Sequence, residues 1–494
     1  MRISPARSKS LLLPLTAAVL LILGGGPFFL PFVPFVAVAL YVWAVRESRR
    51  PFLTALLIAL PYWLYHSLWI LNLQVPTYVR PLLVLGVLLM AGALSLLYGL
   101  WGWAIGRMDD RTLVVVAPAV WVMWEFWRGE LLGDLSYPWS PLGEGLLRSP
   151  FLEIAAIGSV YLLSFFVVAV GILLYLRRWI TAAGVLGVGL LWGVLYSPGS
   201  PVGKVRVAVL QPNVLPRLAY DPHEWREVAS AYDSLLSLLK GKRVDLVVAS
   251  ESAFPGVYRY SKRSREWVRR ITDELHAPFL FGTAGAERGP RGLRFYNRAL
   301  LIDTGGRVVG YYDKVRLVPF GENYPFYEYL PTFIRRINLG QGNYHRGRGF
   351  HPIRMGRLRL GVMICYESIF PYVGWRLARE GANLLVVITS DGWFGRSIGP
   401  KEHYYLGIFR SVETGRAMVR AAKTGVSAAV DADGRVLKEL PLYSRGVLVE
   451  EVPIYEGKTP FVAFGFLIPP LLFLLGAAWH LLYLIRTVRS SEVR

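Results

Sequence analysis

A chain of 494 residues with 54% hydrophobic and 14% aromatic side chains has room for more than one domain, and its positive mean hydropathy points to membrane. Its formal charge of +21 comes with no zinc-finger or RNA-binding signature, and the basic residues lie among apolar segments, so anionic headgroups explain the balance better than nucleic acid. The single cysteine, Cys365, excludes an intrachain disulfide framework and a cysteine-built zinc site.

In chain order, apolar segments come first: Leu11–Leu23, Phe28–Val45, Phe52–Leu71, Leu82–Ile105, Thr112–Trp127, Phe151–Leu176 and Ile180–Tyr196. Another, Phe461–Ile485, stands alone near the C-terminus. Most approach the roughly 20 residues that a helix needs to cross a bilayer. The first is short enough for a signal-peptide core, yet Gly24–Pro27 is no cleavage site and further apolar segments follow at once. Basic residues mark alternate breaks: Arg2, Arg7 and Lys9, then Arg46, Arg49 and Arg50, then Arg107 and Arg111, then Arg177 and Arg178, and finally Arg486, Arg489 and Arg494. The breaks Gly24–Pro27 and Asn72–Pro81 carry at most one. The positive-inside rule then predicts cytoplasmic termini, with the stretch between Ser197 and Pro460 outside. The expected division is a transmembrane region over 1–200, a catalytic domain over 201–455, and a last helix with its tail over 456–494.

The intervening stretch has a different texture. VRVAVLQP, VDLVVASES, APFLFGTAG, LRLGVMICYE and NLLVVITSDG are β-rich runs that end in small or polar residues. Helical patterns lie between several of them, at Glu224–Leu239 and Ser261–Leu275, which predicts an external α/β domain around a central sheet. In such sheets chemistry gathers at the carboxyl ends of strands, where Glu251 and Cys365 fall.

A cysteine nucleophile needs a group that takes its proton and donors for a developing oxyanion. None of the seven histidines lies in a convincing strand-end motif; His403 simply follows Lys401 and Glu402. No G-x-S-x-G elbow and no clustered metal-ligand spacing occurs, so neither a metal nor another cofactor is expected. A carboxylate and a lysine remain. Glu251 closes one apolar strand in DLVVASESAFP, where burial would raise its pKa toward that of a useful base. Lys314 follows another strand in VVGYYDKVRLVPFGENYP.

The order and surroundings of Glu251, Lys314 and Cys365 resemble the Glu-Lys-Cys triad of the nitrilase superfamily. The similarity runs from about Val205 to Pro453 and includes QPN at Gln211–Asn213 and YNRALLIDTGGRVVGYYDKVRLVPFGE. Within that superfamily, WFGRSIGPKEH (Trp393–His403), ETGRAMVRAAKTGVSA (Glu413–Ala428) and the flanking apolar segments resemble the apolipoprotein N-acyltransferases. The resemblance implies an α-β-β-α sandwich on a multi-pass helical membrane domain, at the outer face of a bacterial cytoplasmic membrane. It implies that a phospholipid gives an acyl chain to Cys365, and that the diacylglyceryl cysteine of an apolipoprotein accepts it on its free amino group. By the same likeness Glu251 is the base, Lys314 the oxyanion-stabilising residue, and the Tyr366 N–H a second donor. Glu322 matches a carboxylate that orients the triad, and Tyr366 and Glu367 match a C-Y-E pattern. Trp393 and Phe394 would support a lipid-facing cleft. Two departures stand out: Ala249-Ser250 precedes Glu251 where Trp-Pro is common, and Ser390-Asp391 replaces Asn-Asp.

Bottom-up chemistry agrees on why membrane and triad share a chain. Acyl chains leave a bilayer at a cost of about 0.8 kcal/mol per exposed CH₂, so a site facing the headgroups avoids extracting them. Two loops are expected at its mouth: Glu130–Gly145, with Tyr137 and Trp139, and Tyr324–Tyr344, with Phe326, Tyr327, Leu330, Phe333, Ile334, Arg335 and Arg336. A membrane-tethered amidohydrolase, or a transporter or lipid-binding scaffold with a silent external module, are the competing readings. The oligomeric state is left open.

Overall fold

The computed structural model describes residues 12–215, 224–290, 292–325, 329 and 344–492. Phe326, Tyr327, Leu330, Phe333, Ile334, Arg335 and Arg336 of the second expected mouth loop lie outside the described residues, as do Arg2, Arg7, Lys9 and Arg494.

Each N-terminal apolar segment forms a helix: α1 (Leu12–Gly24), α2 (Val33–Arg46), α3 (Pro51–Ser67), α4 (Arg80–Ile105), α5 (Asp110–Phe126), α6 (Ala155–Tyr175) and α7 (Trp179–Leu195). Segments apolar on every side satisfy their backbone groups internally, which is what a lipid solvent demands. Among the described residues, four stretches are long and apolar enough to cross a membrane: Pro51–Asn72, Thr77–Ile105, Leu152–Tyr175 and Gly465–Arg486. Helix α1 packs into the bundle through Ala17, Ala18 and Leu21. One expected span needs correction. The segment Phe151–Leu176 is not one continuous helix, because Gly158 and Ser159 break the helical backbone, Ser159 with φ 62°. The segment expected to end at Trp127 gives way there to a wider π turn, Trp127–Leu131, which delivers Arg128 and Glu130 to the protein interior.

The rest of the described residues form a sandwich of two sheets of six strands, in the orders β12-β1-β2-β3-β4-β5 and β11-β10-β9-β8-β7-β6. The first contains β1 (Gly203–Gln211), β2 (Leu246–Ala249), β3 (Phe279–Gly289), β4 (Gly292–Ile302), β5 (Val308–Asp313) and β12 (Gly446–Ile454). The second contains β6 (Ile353–Met355), β7 (Leu358–Ile364), β8 (Leu384–Thr389), β9 (Met418–Ala422), β10 (Ser427–Val430) and β11 (Val436–Leu440). The central strands β1, β2 and β3 run parallel, as do β7, β8 and β9.

Strand periodicity explains the layers. Val205, Val207 and Val209 of β1 meet Leu360, Val362 and Ile364 of β7 and Leu384, Val386 and Ile388 of β8 between the sheets. The alternate residues Ala208 and Leu210 face α8 (Glu224–Leu239) and α9 (Lys262–Leu275), packing on Val228, Leu235, Val268 and Ile271. On the other outer face, Met363, Leu385 and Val387 meet the helices Pro371–Arg379 and Gly399–Thr414 through Leu377 and Phe409. That apolar cluster is continuous with the membrane helices, through Trp63, Trp121 and Val160. One face of the sandwich is therefore built into the roof of the helical region.

Candidate active site

The parallel strands deliver their carboxyl ends to one place. Glu251 follows β2 through Ser250, Lys314 follows β5, and Cys365 follows β7. Cys365 opens a tight 3₁₀ turn, Cys365–Ile369, with its own backbone in the left-handed region at φ 52°. A non-glycine residue held there costs on the order of 1–3 kcal/mol, which the surroundings must offset. Glu367 supplies much of that support. Its Oε2 accepts from the N–H of Ile364 at 2.9 Å; its Oε1 accepts from the N–H groups of Val315 and Arg316 at 2.8 and 3.0 Å and from the Tyr312 hydroxyl at 2.9 Å. One buried carboxylate thus brackets the cysteine turn to the segment that follows Lys314.

Lys314 is fully buried. Its Nζ lies 2.9 and 2.8 Å from the two carboxylate oxygens of Glu322 and 3.8 Å from Oε1 of Glu251. Burial works against its charge, but Glu322 and Glu251 outweigh burial and hold its pKa well above the ordinary lysine value. Asn297, on β4, ties the carboxylates together: its side-chain amide donates to Glu251 at 2.7 Å and to Glu322 at 2.8 Å. The backbone of the same residue accepts from the Lys314 N–H at 2.9 Å.

Burial raises the pKa of Glu251; Lys314 opposes the rise and Glu322 adds to it. The Cys365 thiol is likewise pushed up, by burial first and then by Glu251, with Lys314 acting in the opposite sense. The resting thiol is therefore protonated and needs a base beside it. Two buried carboxylates and a buried ammonium beside a half-buried thiol can pass a proton from sulfur to Glu251 without creating an unpaired charge.

Behind the cysteine lies a second buried group that the sequence did not reveal. The ring of His403 places Nδ1 2.8 Å from Asp391 and Nε2 3.0 Å from the carbonyl oxygen of Cys365. Arg420 donates to the other Asp391 oxygen at 2.8 Å, and with His403 it holds that carboxyl well below the usual range despite burial. Thr389 donates to Asp391 at 2.7 Å. Donor atoms of Cys365, Asp391 and His403 lie within 4.8 Å of one another, the one such group among the described residues that could hold a metal ion. The Asp391 oxygens already accept from Arg420 and Thr389 and face the histidine, and the adjacent guanidinium opposes a cation, so the group fits a hydrogen-bonded network better than a metal centre.

Loops of the helical region close over the cluster. The Tyr366 hydroxyl donates to the carbonyl of Ser136 at 2.8 Å, and Arg316 donates to the carbonyl of Gly133 at 3.1 Å. Asp134 pairs with Arg346. Phe394 packs edge-on against Trp69, with ring centroids 5.0 Å apart, and Trp139 lies 6.0 Å from the His403 ring. The carbonyl of Trp393 accepts from the N–H of Gln74 at 3.0 Å. The thiol thus sits where the sandwich meets the ends of α3 and α5.

Residues 17–173 match the apolipoprotein N-acyltransferase N-terminal domain, and residues 206–457 match the carbon-nitrogen hydrolase family. The apolipoprotein N-acyltransferase of Geobacter metallireducens is 30% identical over 446 residues, covering 85% of this chain and 84% of that protein. The chain belongs to the apolipoprotein N-acyltransferase family. Its relative of that name from Azotobacter vinelandii is 32% identical over 401 residues, covering 77% of this chain and 76% of that protein. A solved amidase from Nesterenkonia sp. aligns with 54% of this chain and 96% of its own, at 22% identity and a TM-score of 0.39. With its long apolar helices, this member of the family is a membrane protein carrying a nitrilase-type sandwich.

The structure brings Glu251, Lys314, Glu322 and Cys365 into one cluster, with Tyr366 and Glu367 in the turn that carries the thiol. It places Trp393 and Phe394 against loops of the helical region, and the loop Glu130–Gly145 over Tyr366. Asn297, inside the YNRALLIDTGG run, and His403 and Arg420 carry no role that the sequence alone reveals. A polar residue at an inward strand position was the available signal for Asn297; Arg420 offered none, since its strand is buried at every position. His403 had none, because it sits within a helix rather than at a strand end.

Proposed function

We propose that this protein transfers an acyl chain from a phospholipid, through a thioester on Cys365, to the N-terminal amino group of the diacylglyceryl cysteine of an apolipoprotein. The observation that carries the proposal is the position of the thiol: it lies beside a buried carboxylate and ammonium, under loops that join the apolar helices of the N-terminal region. A water-soluble amidase needs no such roof.

In the first half-reaction Glu251 takes the thiol proton as sulfur attacks the ester carbonyl. The C–S bond forms, and the carbonyl electron pair moves onto oxygen, where the Lys314 ammonium and the Tyr366 N–H stabilise it. Collapse expels the glycerol oxygen, which takes the proton from Glu251, and a lysophospholipid leaves. In the second half-reaction the amine attacks the thioester, Glu251 takes its proton, and the thiol is restored as the amide forms. Glu322 and Asn297 keep Lys314 charged and aimed. Trp393 and Phe394 support the acyl-binding side of the cleft. The catalytic domain, residues 201–455, works on the external face, with residues 1–200 and 456–494 anchoring it and both termini in the cytoplasm.

The test is purified protein with phospholipid and a diacylglyceryl lipopeptide. N-acylated peptide and lysophospholipid are expected in equal amounts. Ammonia release from simple amides, without peptide acylation, would favour the amidohydrolase instead.

A further inference from the structure

The backbone of Cys365 gives His403 a specific lever. The carbonyl of Cys365 and the N–H of Tyr366 belong to one trans peptide unit, so they point in opposite directions from a rigid plane. Whatever holds the carbonyl also aims the N–H. Two groups hold it: His403 Nε2 at 3.0 Å, and the Ser368 hydroxyl, which donates at 2.9 Å. Because a carbonyl oxygen only accepts, the His403 contact requires a proton on Nε2. The imidazolium, with Nδ1–H directed at Asp391, supplies that proton. The neutral Nε2–H form supplies it too, but it leaves the Nδ1 lone pair facing Asp391 at 2.8 Å, offset only by the Arg420 donor at 3.0 Å. Burial and Arg420 push the imidazole pKa below its ordinary value while Asp391 raises it. The Ser368 hydroxyl also lies 3.1 Å from Nε2; because its own proton goes to the Cys365 carbonyl, its oxygen accepts there, which again calls for a proton on Nε2.

The ring has no freedom to turn away. His403, Asp391 and Arg420 are all fully buried, and Trp139 and Phe394 stand 6.0 and 5.6 Å from the imidazole. A hydrogen bond accepted by a peptide carbonyl also polarises the unit and strengthens its N–H as a donor.

We propose that His403, fixed by Asp391 and Arg420, is a positioning residue that aims and polarises the Tyr366 N–H toward the oxyanion formed during acyl transfer. The inference rests on the reading of Cys365 as the nucleophile. It assigns a role to the buried histidine of the Gly399–Thr414 helix, which otherwise has none in the reaction. It also gives a physical reason for the left-handed backbone at Cys365: that conformation directs the carbonyl back to the histidine.

The experiment separates two reactions of the same thiol. Thioester formation passes through an oxyanion, whereas alkylation by iodoacetamide does not. Enzyme acylation is followed as the p-nitrophenolate burst from p-nitrophenyl butyrate, using the full-length protein in detergent. His403→Asn leaves an amide too short to reach the carbonyl, and His403→Gln returns an N–H near the Nε2 position. In His403→Asn the acylation rate constant is expected to fall roughly 10- to 100-fold with KM within about threefold of wild type, since losing an oxyanion donor outright costs about 10²–10³. Iodoacetamide alkylation should stay within about threefold, and His403→Gln should recover part of the acylation rate.

Acylation near the wild-type rate in folded His403→Asn would overturn the proposal. So would a parallel fall in alkylation, or a His403→Gln variant no better than His403→Asn. Should neither variant fold, Ser368→Ala removes the other donor to the same carbonyl. It is expected to slow acylation about three- to tenfold at constant alkylation, and an unchanged acylation rate would overturn the proposal. Phospholipid failing to acylate the protein while the butyrate ester succeeds would count against the assigned donor and leave the role of His403 intact.

Discussion

Helix α9, on the outer face of the first sheet, buries Ser264, Val268, Ile271, Thr272 and Leu275 and leaves its charges in water. The helix Gly399–Thr414, on the outer face of the second, buries every residue except Lys401 and Tyr405. Spacings of three and four explain the first: one stripe faces the sheet, and Arg270 pairs at the surface with Asp233 and Glu274. The second helix lies between the sheet and the membrane region and has water on neither face. Its polar residues are therefore committed to fixed partners: Glu402 to His66, His403 to Asp391, and Arg410 to Glu413. Equivalent layers of one sandwich thus carry polar groups for opposite reasons, solvation in one and internal hydrogen bonding in the other.

The sharpest way to break that contrast is to delete one arginine from each layer. Arg410 donates to the Ile369 carbonyl at 2.7 Å and to Glu413 at 2.6 Å, and Glu413 in turn accepts from the N–H of Val160 at the break in α6. Arg410→Met strands a buried carboxylate and should cost about 3–5 kcal/mol. Arg270→Ala should cost no more than about 1 kcal/mol. Thermal melting of both variants in one detergent measures the difference, and equal melting points would remove the distinction.

A pH scan sharpens it further. Burial lifts Glu402 from 4.5 to about 8, so the folded protein keeps a proton that the unfolded chain releases. Its contribution to stability is fully present below the unfolded value and is lost as pH rises toward about 8. Glu402→Gln should flatten that decline in melting temperature, and an unchanged decline would contradict the assignment.

The sequence was most readable where water lies on one side. The stripe on α9 follows from having one wet face, and the apolar helices follow from having none. Glu251, Lys314 and Cys365 were legible because each breaks an apolar run at a strand end, a place where polarity has to be explained. His403 and Arg420 were not, because a polar residue within a fully buried element looks the same as one facing solvent until its neighbours are known. The break at Gly158-Ser159 was hidden for a related reason: Glu413, distant in sequence, accepts the N–H that the break releases at Val160.

Smaller effects probe the seam between the layers. Phe394→Ala removes the edge-on contact with Trp69 and should cost about 1–3 kcal/mol, with faster proteolysis of the 127–141 loop as its signature. Ser261 caps α9 by accepting from the Ser264 N–H at 3.1 Å. Ser261→Ala should cost about 1 kcal/mol and leave enzyme acylation unchanged, since that layer is remote from the thiol.

The most direct measurement is the intact mass of the protein after incubation with phospholipid alone. One added acyl group, located on Cys365 and released by neutral hydroxylamine, is expected; Cys365→Ala should gain none, and Glu251→Gln should acquire it about 10²–10⁴-fold more slowly. An acyl group on any other residue, or normal acylation of folded Glu251→Gln, would contradict a thioester mechanism with Glu251 as its base.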